Sequence, residues 1–73
     1  MELHCESRIL GKFRGWERDN IYRLENGSKW EQVHHQFKYR YWYQPSAKVW
    51  KDGSQYYLEV EGMDEKIEVH PYS

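Results

Sequence analysis

Residues 36–45 read QFKYRYWYQP. Five aromatic rings fall within positions 37–43, with Lys38 and Arg40 threaded between them. Such a run is either a surface for stacking nucleic-acid bases or the inside of a very small β-protein. Side chains alternate across a strand, so Phe37, Tyr39, Tyr41 and Tyr43 share one face and Lys38, Arg40 and Trp42 the other. The first row is all rings, whereas the second mixes charge with one indole. Alternation therefore predicts that the four-ring row is buried, its hydroxyls reaching the barrel ends or the backbone. Lys38, Arg40 and Trp42 are then expected to face outward.

The chain has 73 residues, enough for one domain over 1–73, with 1–6 expected to be flexible. At this size one core supplies about 3–5 kcal/mol of net stability, so reinforcement is needed. A disulfide within the chain is excluded, because Cys5 is the only cysteine. Cys5, His4, His34, His35 and His70 lack the paired spacing of a zinc site. The reinforcement left is aromatic bulk, at 18% of residues, or association between copies. A lone thiol fits a reducing compartment. The N-terminus has no signal-peptide layout, and no stretch approaches a membrane span. The expectation is a full-length, soluble, cytoplasmic bacterial-type protein without a membrane partner.

The net charge is −1, which gives no bulk attraction to polyanions. Its distribution is uneven. Residues 1–31 hold six acids and six bases, residues 32–51 four bases and no acid, and residues 52–73 six acids and one base. The basic middle is expected to pair across strands with the acidic tail.

Short alternating segments separated by turn signals predict an all-β fold: a small, strongly bent antiparallel sheet or SH3-like barrel of six to seven strands. Asn26-Gly27 marks a hairpin. A three-residue loop, Glu25 to Gly27, pairs Tyr22 with Trp30 and puts Tyr22, Leu24 and Trp30 on one face; a two-residue loop does not. Around Asp52-Gly53, a two-residue loop pairs Lys51 with Ser54 and Val49 with Tyr56. Ala47, Val49, Tyr56, Leu58 and Val60 then face inward, and Lys48, Trp50, Tyr57 and Glu59 outward. The last strand turns Ile67 and Val69 inward and stops at Pro71.

Together these segments carry a longer pattern. Phe13, Gly15, Trp16, Asp19, Ile21, Leu24, Asn26, Gly27, Trp30 and Gln32 are followed by Tyr39, Tyr41, Tyr43 and Pro45, then by Val60, Glu61 and Gly62. Across about residues 11–70 the chain resembles a family of short uncharacterised bacterial all-β domains, some of them mobile-cassette products. The resemblance implies a fold and a bacterial origin, and no catalytic chemistry.

The residues themselves show no metal-ligand spacing, phosphate-cradling Gly-rich loop or nucleophile elbow. His4 and Cys5 lie in an expected frayed end, and His34 and His35 point to opposite faces of a strand. Asp19-Asn20 reads as turn chemistry, and Met63 as an exposed apolar contact. The expectation is thus no enzyme, no cofactor and no metal. The candidate site is an outer face of Lys38, Arg40, Trp42, Lys48, Trp50 and Tyr57. Such a face suits a protein partner or a second copy, since Trp, Tyr and Arg dominate interface hot spots. It also suits single-stranded nucleic acid, with bases on rings and phosphates on cations. A pocket between aromatics such as Trp16 and Trp30 is a third possibility. Neutralisation of Lys48, Lys38 and Arg40 by Glu59 and Glu61 would remove the footing for a polyanion.

Overall fold

Alternation and frequent turns fold the chain into eight short strands and, among the described residues, no helix. The structure is a computed structural model, and it describes residues 1–72. The strands are β1 (Glu2–Arg8), β2 (Lys12–Trp16), β3 (Ile21–Arg23), β4 (Lys29–Gln32), β5 (Lys38–Tyr43), β6 (Ser46–Asp52), β7 (Gln55–Val60) and β8 (Ile67–Pro71). Six of them form an antiparallel sheet in the order β1-β6-β7-β8-β4-β3, and β2 pairs with β5 in a second sheet. The ends of the larger sheet meet. Ile9 bridges Leu24, Leu10 N–H donates to Arg23 O, and Glu25 N–H donates to Arg8 O. The bent sheet thereby closes on itself in barrel-like fashion, with one strand more than the upper expectation.

The N-terminus is not frayed. Residues 2–8 pair along β6, and His4 packs edge-on against Trp30 and Tyr56 with centroids 5.7 and 5.1 Å away. The first hairpin has the expected register: Tyr22 faces Trp30, Leu24 N–H donates to Ser28 O, and Gly27 has φ 91°. The second hairpin turns one residue later than expected. Asp52 pairs with Gln55 and Val49 with Leu58, leaving Gly53 and Ser54 as the loop. The reason is conformational. An Asp-Gly loop needs positive φ at both residues, whereas here only Gly53 is left-handed, at φ 63°, the arrangement of a type II′ turn. Moving the loop by one residue moves the register by two, so the faces are kept. Ala47, Val49, Leu58 and Val60 are buried as expected, together with Ile67 and Val69.

The core has an aliphatic end, built by these strands, and an aromatic end. Phe13, Trp16 and Tyr22 pack edge-on or tilted with centroids 5.6–6.1 Å apart. Trp16 is fully buried, which makes it core rather than a pocket lining, although its indole N–H has no partner. Beside it lies one buried polar brace. Tyr22 OH donates to Gln32 Oε1 at 2.7 Å and accepts from Glu17 N at 3.1 Å. Gln32 Nε2 donates to the carbonyls of His34 and Gln36 at 2.8 and 2.9 Å. Gln32 thus ties β4, β3 and the segment leading into β5 together.

β2 and β5 touch most closely at Gly15, whose φ is 93°. A Cβ there would collide with the backbone oxygen of Lys38 and lie 2.8 Å from Arg40 N. Both are backbone atoms that cannot swing away. Gly15→Ala is expected to remove most or all of the ~3–5 kcal/mol that a core of this size supplies, seen as loss of a cooperative urea transition. Gly27→Ala, where a Cβ meets open space, costs only about 1–2 kcal/mol of left-handed strain.

Burial raises the Tyr22 phenol pKa above its ordinary 10.0, with the Glu17 backbone bond partly offsetting it. The unfolded chain therefore gives up this proton first as pH rises. The stability it contributes is complete below about pH 10 and is lost above that. Urea midpoints are expected to fall above about pH 10, and less steeply in Tyr22→Phe. That variant also costs about 1–3 kcal/mol at neutral pH, because Gln32 Oε1 loses its donor.

Candidate functional site

The aromatic run is inverted relative to its sequence reading. Phe37, Tyr39, Tyr41 and Tyr43 are 76, 66, 50 and 63% exposed. The other row carries Lys38 and Arg40, which are exposed as expected, and Trp42, which is half-buried. Lys38 Nζ contacts Asp64 Oδ2 at 2.9 Å, and the Arg40 guanidinium lies 5.3 Å over the Trp42 ring. Both Trp42 and Arg40 border Gly62, within 3.4 Å of where its Cβ would be. Trp42 is half-buried and packs on the core, as does Met63, expected to be exposed. Strand geometry gave the two rows correctly. What it could not give is which row the 62–64 loop would cover.

The six residues expected to form one outer face fall into two groups in different sheets. Lys38, Arg40 and Trp42 lie on β5 and engage the 62–64 loop. Lys48, Trp50 and Tyr57 lie half-buried on the outer side of β6 and β7. Carboxylates occupy both groups. Lys38 holds the Asp64 carboxyl below the usual range, first by a hydrogen bond and then by its charge. Lys48 sits opposite Glu59 and lines a shallow cleft of about 340 Å³ with Glu6, Glu59, Glu61 and Ser46. Trp50 Nε1 donates to Glu59 Oε1 at 2.7 Å. The expected cross-strand ion pairs with Glu59 and Glu61 are not among those formed: Lys38 pairs with Asp64 of the 62–64 loop, and Arg40 rests on an indole instead of an acid.

The surface that remains open is the outer side of β2 and β5. Lys38, Arg40 and Trp42 all contact or border the 62–64 loop, whereas Tyr39, Tyr41 and Tyr43 are exposed. Lys12 pairs directly with Tyr43 and shares that face. Arg14 follows two residues on, exposed, opposite the irregular step at Arg40 and Tyr41. No acidic residue occurs in β2 (KFRGW) or β5 (KYRYWY). Of the two, only β2 is hydrogen-bonded to β5, whose other edge is unpaired. The second edge of β2 borders a cleft of about 240 Å³ facing β3, lined among others by Lys12, Arg14, Glu17, Asn20 and Arg23.

The histidines make scattered surface pairs. His34 lies 3.0 Å from Glu68, His70 2.8 Å from Glu31, and His35 4.0 Å from Asp19. Cys5 is half-buried against the core. Among the described residues, no three His, Cys, Asp or Glu side chains are gathered in the manner of a metal site, and no helix is long and apolar enough to cross a membrane. Set against known proteins, the chain matches no family model, no curated protein and no solved structure.

Exposed side chains can be removed with little effect on folding, and that property separates the two orientations of β5. Tyr39→Ser and Tyr41→Ser are each expected to change stability by no more than about 0.5 kcal/mol. Trp42→Ala is expected to cost about 3 kcal/mol or somewhat less, as for a half-buried ring. Urea denaturation of the three variants measures this, and a large loss for Tyr41→Ser would restore the buried-row orientation.

Proposed function

We propose that this chain is a non-catalytic binding module that holds single-stranded nucleic acid on the outer face of β2 and β5. One observation carries the reading: three exposed tyrosines, Tyr39, Tyr41 and Tyr43, lie on β5 beside Lys12 and Arg14 of β2, and neither strand carries a carboxylate. Rings two residues apart on a strand are spaced by about 6.7 Å, which suits successive unstacked bases. Each base stacked on a ring contributes about 1–3 kcal/mol without regard to sequence, while cations follow the phosphates. The face is local, so the overall charge of −1 does not oppose it.

Self-association or protein binding is the second reading, favoured by the unpaired edge of β5, which could accept another strand. The composition of the face counts against a two-fold dimer through the rings. An isologous contact sets each patch against its own copy, so Lys12 and Arg14 would meet only cations and rings. A reducing cytoplasmic setting fits the lone thiol, and a bacterial source belongs to the family resemblance.

The test is fluorescence anisotropy of a labelled oligothymidylate of about ten nucleotides, inside the range of known single-strand site sizes. Binding is expected to weaken as salt rises. Tyr39→Ala and Tyr41→Ala are each expected to weaken it about tenfold, the equivalent of one stacked base. No binding at low salt sinks this reading. A dimer by light scattering that Tyr41→Ala dissociates would put self-association in its place.

A further inference from the structure

The cleft between β2 and β3 has no role in the stacking face as described so far, yet it opens beside it. Its near bank is β2, and the side chains there are Lys12 and Arg14, the same two that flank the rings. Its far bank is β3 with the turn before it, and brings Arg23 and Asn20. Three cations thus face one cleft with a single carboxylate, Glu17, among its lining residues. Among the described residues, none of the three cations has a carboxylate within ion-pair distance, although Lys38 elsewhere on the surface does. A cationic cleft without counter-charges attracts anions, and guanidinium groups recognise phosphate through paired N–H donors. β2 also contributes backbone. A strand paired on one side only leaves alternate N–H groups directed to the other, and main-chain N–H groups are ordinary phosphate donors.

Across the surface, the order is therefore β5 with its rings, β2 with two shared cations, the cleft, and β3 with a third cation. We infer that the cleft takes the sugar–phosphate backbone of the strand whose bases stack on β5, with Arg23 as its far phosphate contact. This inference rests on the nucleic-acid reading of the β5 face, and it adds a direction. The backbone runs on the β2 side of the rings, and the free edge of β5 stays clear. Lys12 and Arg14 serve both halves of the site, whereas Arg23 serves only the phosphates. Phosphate and base contributions are accordingly separable by mutation.

Salt dependence separates them, because each neutralised phosphate on a single strand contributes about −0.7 to the slope of log K against log salt. Three contacts predict a slope near −2 for oligothymidylate. Arg23→Gln is expected to make the slope shallower by about 0.7, and Arg14→Gln, on the opposite bank, to do the same. Tyr41→Ala lowers affinity with the slope unchanged. Arg18→Gln, an exposed arginine beside Asp19 and outside the cleft lining, leaves both unchanged. Circular dichroism checks that each variant is folded, and a fold lost in one arginine variant leaves the other to carry the test. If Tyr41→Ala weakens binding but neither arginine change alters the slope, the phosphate cleft is wrong and the stacking face stands. If no oligonucleotide binds, both fall. Polyglutamate of similar length binding as tightly as oligothymidylate would also overturn the inference, making the face a site for acidic peptides.

Discussion

At Gly15 the backbone of β5 lies against that of β2, with Lys38 O and Arg40 N in the space a side chain would fill. This close approach determines how the most aromatic segment of the chain is used. It sets β5 so that Lys38, Arg40 and Trp42 meet the 62–64 loop, where Gly62 again offers no side chain and Trp42 and Arg40 lie beside the gap. That face of β5 is thus partly covered, with Trp42 half-buried and Lys38 and Arg40 still exposed. The remaining interior is already occupied by Phe13, Trp16 and Tyr22 at the aromatic end and by aliphatic residues of β6, β7 and β8 at the other. Four more rings have no room inside.

Leaving those rings outside has an energetic meaning. A fully buried large apolar side chain contributes about 1.5–3 kcal/mol, and a domain of this size has about 3–5 kcal/mol in total. Exposing Phe37 and three tyrosines forgoes stabilisation comparable to everything the domain has. The strand is nevertheless held in place. Gln32 fixes the carbonyls of His34 and Gln36 just before it, and Gln44 N–H donates to Gly11 O just after it. In the proposed reading, this exposed ring row is the surface that a bound strand completes.

Much of this was readable before any coordinates. Turn chemistry at Asn26-Gly27 specified the loop length, and the resulting register placed Tyr22 opposite Trp30. Inner positions of β6, β7 and β8 followed from alternation, which survives a two-residue register change. The N-terminal strand was illegible because ELHCESR has no apolar alternation; its stability comes from pairing with β6, a long-range contact. The orientation of β5 was illegible for a different reason. Alternation separates two faces but carries no sign, and burying the more apolar row is only a default. The sign is fixed by two glycines distant in sequence, Gly15 and Gly62, that leave space on one side. In retrospect, an aromatic row made mostly of tyrosine, with no aliphatic member, was the available signal, since tyrosine tolerates water better than phenylalanine or leucine. In the proposed reading the candidate site accordingly passes from Lys38, Arg40 and Trp42 to their neighbours Tyr39, Tyr41 and Tyr43.

The charge layout then separates two surfaces that composition alone merges. In the basic middle segment Lys38 pairs with Asp64, Lys48 shares a cleft with Glu6, Glu59 and Glu61, and Arg40 and Lys51 rest over the rings of Trp42 and Tyr56. The three cations of the proposed cleft come from residues 12–23, within a first third of the chain whose acids and bases balance in the sequence. Folding sorts them, placing Lys12, Arg14 and Arg23 around one cleft and Arg18 with Asp19 elsewhere. The tyrosines span about 13 Å from Tyr39 to Tyr43 at strand spacing, set against a longest molecular dimension of 30 Å. In the proposed reading a single copy therefore offers room for only about three stacked bases. So small a footprint makes each copy a modest binder, and firm attachment to a longer strand would come from several copies side by side, each adding its own short row of rings.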